Sequence, residues 1–477
     1  MSWDLARCAG VLLGLAAGDA LGAGYEFRTP PSAAAAMIGG GLGRWEPGEW
    51  TDDTQMAVCI AEEAATGALE PVEVAARFLA WYRSGPADVG IQTRAVLSAA
   101  HDSAEVAVRA ARYFEAHPHG AAGNGSLMRT APVALAHLGH DEALAEAAQA
   151  ISALTHADPL AGEACVLWCI AIDRAVRHGN LDGIWEGLDC LAPNRRAFWA
   201  DRLAEAQQGP PSRFSPNGYV VPALQAAIAA VWHTPVPKEM PCRHLQHALQ
   251  AAVHIGDDTD TVAAIAGGLL GARWGASALP ADWQLALHGK PGCYGHADYL
   301  ASDLVRLAVL AARGGQPDSS GWPVAESLAG FYDSHWPSRP LLQPLEQDEG
   351  ILLANYAGAL GARADLVVSL CRTGSGLSGA DGHLAVWLLD LDDPAANPNL
   401  EFVLSDLAVS ISRWRDQGKT VLVHCVQAEC RTPTVAAAYL AERCGMSGES
   451  ALATLRGQLP RTSRDAAFAS ALARRWP

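Results

Sequence analysis

The sequence predicts two folds in one chain, a long all-α domain followed by a smaller α/β domain. Three observations carry this. Ala-rich runs with few β-branched residues fill roughly the first 315 residues, and their apolar positions recur at helical spacing. After about residue 348, Leu366-Val367-Val368-Ser369-Leu370, Leu384-Ala385-Val386-Trp387-Leu388-Leu389 and Thr420-Val421-Leu422-Val423 read as short buried strands. The chain, at 477 residues, also exceeds the roughly 250–300 residues at which a single core stops growing. The expected division is 1–315, a linker at 316–347, and 348–477.

The first domain opens on a helix, Leu5–Gly22, with Leu12, Leu13, Leu15, Ala16 and Leu21 on its buried side. Its run Gly18-Asp19-Ala20-Leu21-Gly22 is small enough to bring another backbone close, and Glu26 follows. Gly39–Gly48 is a glycine-rich loop leading to Thr51-Asp52-Asp53-Thr54, which starts a helix through Met56 and Ile60. Amphipathic helices cover about 72–115. Gly123-Asn124-Gly125-Ser126-Leu127-Met128-Arg129 then opens a helix containing Pro132, Val133 and Leu135. Such a loop offers backbone N–H groups to a pyrophosphate, although Asn-Gly is also a common turn. Residues 191–218 are polar, with Gly209-Pro210-Pro211 marking a surface loop. Tyr219, at the head of the next helix, suits either stacking on a base or a structural place in the core. The last helix, Leu300–Arg313, stops at Gly314-Gly315.

Gly256-Asp257-Asp258-Thr259-Asp260-Thr261 is the most informative stretch. One Asp suffices to cap a helix, but three carboxylates stand here in four positions, ahead of the apolar run from Val262. Oxygen-only donors packed this way suit a hard cation such as Mg²⁺ better than zinc. With Thr51, Asp52 and Asp53 some two hundred residues earlier, the chain holds two such clusters, able to face each other across a shared metal pair.

The order of these pieces resembles the ADP-ribosylglycohydrolase family, over about the first two thirds of the chain. The resemblance implies an all-α domain that hydrolyses the bond from ADP-ribose to its acceptor with Mg²⁺, as two ions. It makes Thr51, Asp52, Asp53, Asp258, Asp260 and Thr261 metal ligands and Glu26 an acid beside metal and substrate. It lays Gly123, Asn124, Gly125, Ser126 and Met128 along the diphosphate and ribose, and brings His156 of Leu154-Thr155-His156-Ala157-Asp158 to the ligand rather than the metal. Asp257 stands where members often have glycine. The partner implied is an ADP-ribosylated protein or small molecule.

Composition narrows the remaining classes. A net charge of −17 argues against general nucleic-acid binding. Eleven cysteines without paired CxxC spacing read as reduced thiols of a cytosolic protein. The apolar patch near Leu12 is broken by Gly14, Gly18 and Asp19, so no span of the roughly 20 residues a membrane requires is expected. That start also lacks a basic leader, which points to a cytoplasmic chain.

Residues 316–347 are rich in Pro, Ser and acids but carry Trp322, Phe331, Tyr332 and Trp336, so this linker should pack on one domain. In the second domain the third strand enters His424-Cys425-Val426-Gln427-Ala428-Glu429-Cys430-Arg431-Thr432, then a helix from Pro433 to Arg443. Loop N–H groups and a helix start favour a phosphoryl group and a nucleophilic thiolate. The motif resembles the dual-specificity members of the protein tyrosine phosphatases. That implies a central, mostly parallel sheet, Cys425 as nucleophile, Arg431 as phosphate ligand and Thr432 as helper of phosphoenzyme breakdown. The general acid would be Asp393, 32 residues before Cys425, with Asp392 and Asp390 as rivals. Ala428 replaces the usual glycine, and Glu429 adds a carboxylate near the phosphate. Two alternatives stay open: an ADP-ribose sensor that regulates the phosphatase, or a phosphatase with the helical domain as substrate adaptor.

Overall fold

The computed structural model describes residues 3–291, 297–375, 382–463 and 465–477. The chain forms two compact units. One runs as far as Leu279 and adds Ala286–Gln316; the other joins Pro280–Leu285 to Pro317–Pro477.

Two antiparallel helices, Leu5–Gly22 and Thr259–Trp274, form the spine of the first unit. Gly10, Gly14, Gly18 and Gly22 repeat every fourth residue and share one helix face. A Cβ at each would overlap backbone of the opposite helix: Gly271 for Gly10, Gly267 for Gly14, Ala263 for Gly18 and Asp260 for Gly22. Only glycine permits this approach. It sets the end of the first helix against the start of the second, where the Thr259 hydroxyl donates to the Gly22 carbonyl at 2.9 Å. By length and composition alone, Leu5–Tyr25 would reach across a membrane, contrary to the expectation of no such span. Its most apolar window is 83% buried, and it serves as core.

The stretch expected to hold amphipathic helices contains three, Pro71–Arg83, Ile91–Ala99 and Ser103–Ala116. The loop at Gly123 does not open directly into a helix. Asn124–Ser126 makes one 3-10 turn, and the helix Ala131–Ala136 begins later. Pro132 explains the delay, because proline fits a first turn but clashes with the carbonyl four residues before it. A further helix, Pro193–Gln208, occupies the region read as polar; it buries Trp199, Leu203 and Ala206, one narrow stripe on a hydrophilic helix.

The second unit is a five-stranded sheet with helices. Across it lie Leu342–Leu345, Asp348–Asn355, Val421–Cys425, Leu366–Ser369 and His383–Ala385. Only the first pair is antiparallel, so the sheet is mostly parallel, as expected. The strand read at 384–389 ends early because Asn397 takes over pairing: its side-chain amide accepts from Leu389 N at 2.8 Å and donates to Leu389 O at 2.9 Å. Residues 317–347 are no separate linker. They belong to this unit, with a helix at Ala329–His335 and the edge strand Leu342–Leu345.

Candidate active site

The first acidic cluster is held by a residue outside it. Asp19, fully buried in the opening helix, accepts from Thr51 N at 3.0 Å, Thr54 N at 3.0 Å and the Thr54 hydroxyl at 2.6 Å. These are the free donors at the start of the helix Asp52–Ala64, which Asp19 caps from another element. Thr51 and Thr261 then both donate to Asp53 Oδ2, at 3.3 and 3.4 Å, so one carboxylate oxygen joins the two clusters. Its other oxygen, Oδ1, is buried without a partner.

The second cluster is held from two sides. Asp258 N donates to Asn217 Oδ1 at 3.0 Å, and Asn124 Nδ2 donates to Asp258 Oδ2 at 2.7 Å. Carboxylate oxygens of Glu26, Asp258 and Asp260 lie within 4.8 Å of one another. Asp257 turns away: its carboxylate accepts from the Ser215 hydroxyl, and its φ of +59° is the left-handed backbone that favours glycine there. It is not a ligand.

Burial and mutual repulsion drive these acids toward their neutral forms. Burial, then the charges of Asp258 and Asp88, push Glu26 up to about 9. Asp52 rises to about 7 by burial and then Asp88, and Asp19 to about 6 by burial. Asp53 and Asp260 rise well above the ordinary range, again by burial first. So many buried acids, with an unpartnered oxygen on Asp53, fit a site for cations of hard character. A carboxyl with a higher pKa folded than unfolded binds extra protons in the folded state, so its stability contribution is lost as pH rises. Without divalent cations the melting temperature should therefore fall between about pH 4.5 and about pH 9. Added Mg²⁺ should flatten that fall; thermal melts in EDTA and in Mg²⁺ across this range measure it, and parallel curves would contradict the cation site.

Beside the acids stands the Gly123–Ser126 loop. His156 Nε2 would lie 3.4 Å from a Cβ at Gly123 and 3.2 Å from one at Gly125, so the ring covers both glycines. Its Nδ1 is 2.8 Å from the Thr155 hydroxyl, whose oxygen already accepts from Arg129 at 2.6 Å. Either group can supply the proton between them, and the tautomer in which the hydroxyl donates to Nδ1 places Nε2–H over the loop. Burial, then Arg129, lowers His156 to about 3, so it is neutral. Met128 Sδ lies 4.0 Å from the Thr261 hydroxyl, beside the acidic cluster. Half-buried Tyr219 pairs with Gly123 through backbone. The Ser126 hydroxyl accepts from Ser152 at 2.9 Å inside the core, which is compatible with the backbone role expected of this loop.

Two residues escaped the sequence reading. Asp19 was hidden within a small-residue run. Asp88, half-exposed in the loop before Ile91–Ala99, is the second-largest influence on Asp52 and repels Glu26. Nothing in its local sequence marks it.

In the second unit the strand and helix flank the loop in the expected order, but both reach further into it: Cys425 ends the strand Val421–Cys425 and Arg431 starts the helix Arg431–Cys444, two residues before the expected Pro433. Arg431 donates to Leu370 O at 2.7 Å, Leu388 O at 3.1 Å and Asp390 Oδ2 at 2.9 Å. Arg431 Nε and the Thr432 hydroxyl are buried without partners. The acid brought to the arginine is Asp390, not Asp393, whose carboxylate caps a short turn at Ala395 N (2.9 Å). Glu429 faces Arg461 at 3.4 Å, and Ala428 takes the left-handed φ of +58° that a glycine would hold without strain. Cys430 is engaged by Asp465 and Asp390, and burial with these charges pushes its thiol far up. None of the ten described cysteines is bridged.

The ADP-ribosylglycohydrolase family model matches residues 3–316. The chain belongs to that family. It is 31% identical over 292 residues to ADP-ribosyl-[dinitrogen reductase] glycohydrolase of Rhodospirillum rubrum, covering 60% of this chain and 91% of that protein. It is 32% identical over 286 residues to ADP-ribosylarginine hydrolase Tri1 of Pseudomonas putida, covering 58% and 73%. The crystal structure of human DUSP28 aligns with 29% of this chain and 94% of its own, at 21% identity and a TM-score of 0.25, too distant to define the second unit's family.

Proposed function

We propose that the first unit is a Mg²⁺-dependent hydrolase that removes ADP-ribose from an arginine side chain. The observation that carries this is the convergence of Glu26, Asp258 and Asp260 beside a glycine loop, with Asn124 tying that loop to Asp258. Thr51, Asp52, Asp53, Asp258, Asp260 and Thr261 would hold two Mg²⁺ ions, which supply positive charge to orient the distal ribose and ready a water. The N–H groups of Gly123–Ser126 and His156 Nε2–H bind the diphosphate, and Tyr219 stacks on the base. With cations bound, the repulsion that keeps Glu26 protonated is offset, and its carboxylate takes a proton from the attacking water. The water oxygen bonds to the anomeric carbon, the bond to the acceptor nitrogen breaks, and the guanidine leaves carrying the proton.

Asp88 supports a cationic acceptor, since a half-exposed carboxylate beside Glu26 and Asp52 suits a guanidinium. The relatives named as ADP-ribosylarginine hydrolases support the same linkage. Asp88→Asn should lower kcat/KM on an ADP-ribosylarginine peptide by roughly ten- to a hundredfold, the worth of a charge-assisted hydrogen bond. It should spare a serine-linked conjugate. Equal loss on both would remove Asp88 from acceptor recognition.

A second reading applies to the other unit, favoured by the unpartnered Arg431 Nε and Thr432 hydroxyl behind Cys425. There Cys425 Sγ attacks a phosphate monoester, the ester P–O bond breaks, and the leaving oxygen takes a proton from Asp390. Water then attacks the cysteinyl phosphate, gives its proton to Asp390, and releases orthophosphate and the thiolate. Cys425→Ser should abolish phosphate release from p-nitrophenyl phosphate while leaving ADP-ribose release unchanged; release that persists in the variant would refute it.

A further inference from the structure

We propose that the cavity beside the Cys425 loop is a nucleobase pocket, so that the second unit acts on a phosphate monoester of an amino-bearing purine nucleoside; this rests on reading that loop as a phosphate-transfer site. The cavity, about 300 Å³, lies between the helix Ala329–His335, the turn at Tyr356 and Val426, the residue after Cys425. Its walls are aromatic. Tyr332 packs edge-on against Tyr356, with centroids 4.9 Å apart at 67°, and lies 6.2 Å from Trp336.

These walls are fastened to the loop. Tyr356 N donates to Val426 O at 3.1 Å, and its ring lies 6.0 Å from that of His424. Tyr332 is pinned through its hydroxyl to Arg372 O at 2.9 Å. Trp336, 44% exposed, leaves one wall accessible from solvent. A flat ring entering here meets π-faces, the sequence-tolerant attraction that holds nucleobases.

The polar groups select further. Asp333 lines the cavity as an acceptor and suits an exocyclic amine. The Ser338 hydroxyl accepts from Asn355 Nδ2 at 3.1 Å, which frees its own proton for a ring nitrogen. A phenol ring would leave much of the space unfilled, whereas a purine with its ribose matches the small end of ligand pockets. Phosphate from such a ligand meets the loop N–H groups and the unpartnered Arg431 Nε and Thr432 hydroxyl.

The test uses the full chain and its Trp336→Ala, Asp333→Asn and Cys425→Ser variants, with 5′-AMP, 5′-IMP, p-nitrophenyl phosphate and a phosphotyrosine peptide. The expected result is Cys425-dependent phosphate release with 5′-AMP preferred over the peptide. Trp336→Ala should cut kcat/KM on 5′-AMP by roughly tenfold or more, through KM, and lower that on p-nitrophenyl phosphate, whose smaller ring fills less of the pocket, by a smaller factor. Asp333→Asn should erase the preference for 5′-AMP over 5′-IMP, which lacks the amine. Binding is read separately, by calorimetric titration of 5′-AMP into Cys425→Ser with and without Trp336→Ala. If p-nitrophenyl phosphate is never hydrolysed yet Trp336-dependent 5′-AMP binding remains, the phosphatase reading fails and the pocket stands. If p-nitrophenyl phosphate is hydrolysed but Trp336→Ala changes neither 5′-AMP turnover nor binding, the pocket is overturned. A preference for the phosphotyrosine peptide that Trp336→Ala removes would also overturn the nucleoside assignment.

Discussion

Changing Asp258 and Asp260 together to Asn is expected to end ADP-ribose release while leaving the helical unit folded. Both side chains are buried where Glu26 converges with them, so the substitution keeps shape and removes charge from the centre of the cation site. A bound metal is worth several kcal/mol to such a transition state, so activity should fall by about 10³-fold or more. Stability should move the other way in EDTA. Burial raises both acids, and the charges of Glu26 and Asp53 raise Asp260 further; with these two carboxylates gone, the metal-free melting temperature at alkaline pH should rise above that of the parent. Steady-state rates with far-UV circular dichroism melts would show it. Activity retained in the double variant would mean that the acids do not hold the catalytic cation.

Gly18→Val should be among the most damaging single changes to the fold of the first unit. Its Cβ would overlap the Ala263 carbonyl oxygen, and two helix backbones in contact cannot yield locally. A loss of about 3 kcal/mol or more is expected, toward the upper end of overpacking costs. The effect should reach the chemistry, because Asp19 is the adjacent residue and caps the helix that carries Asp52 and Asp53. Denaturant unfolding and Mg²⁺ titration of this variant should thus fail together. A near-neutral change in stability would disprove the close helix contact.

What the sequence revealed divides along a physical line. Thr51, Asp52 and Asp53, and likewise Asp258, Asp260 and Thr261, each sit within one turn of a helix start, so local spacing alone brings their oxygens together. Glu26, one short turn past the end of the first helix, was reached through the family resemblance and not through local spacing. Asp88 acts from a separate loop, and its relation to Glu26 exists only in the folded chain. Choosing among Asp390, Asp392 and Asp393 by distance along the chain was equally blind. The local cap at Ala395 engages Asp393, Ala467 N takes Asp392 at 2.8 Å, and only Asp390 reaches Arg431. The strand Leu342–Leu345 was read as part of the linker, and Asp348–Asn355, at the start of the second domain, was not read as a strand, because the acids between and within them mask the pattern until the sheet pairs them.

On the proposed function, the paired acids make this chain a metal-dependent ADP-ribosyl hydrolase. The most direct test of that reading is ADP-ribose release from matched arginine- and serine-linked conjugates, in Mg²⁺ and in EDTA. Release from the arginine conjugate that requires Mg²⁺ is the result predicted. Release that proceeds equally in EDTA, or none from either conjugate, would contradict it.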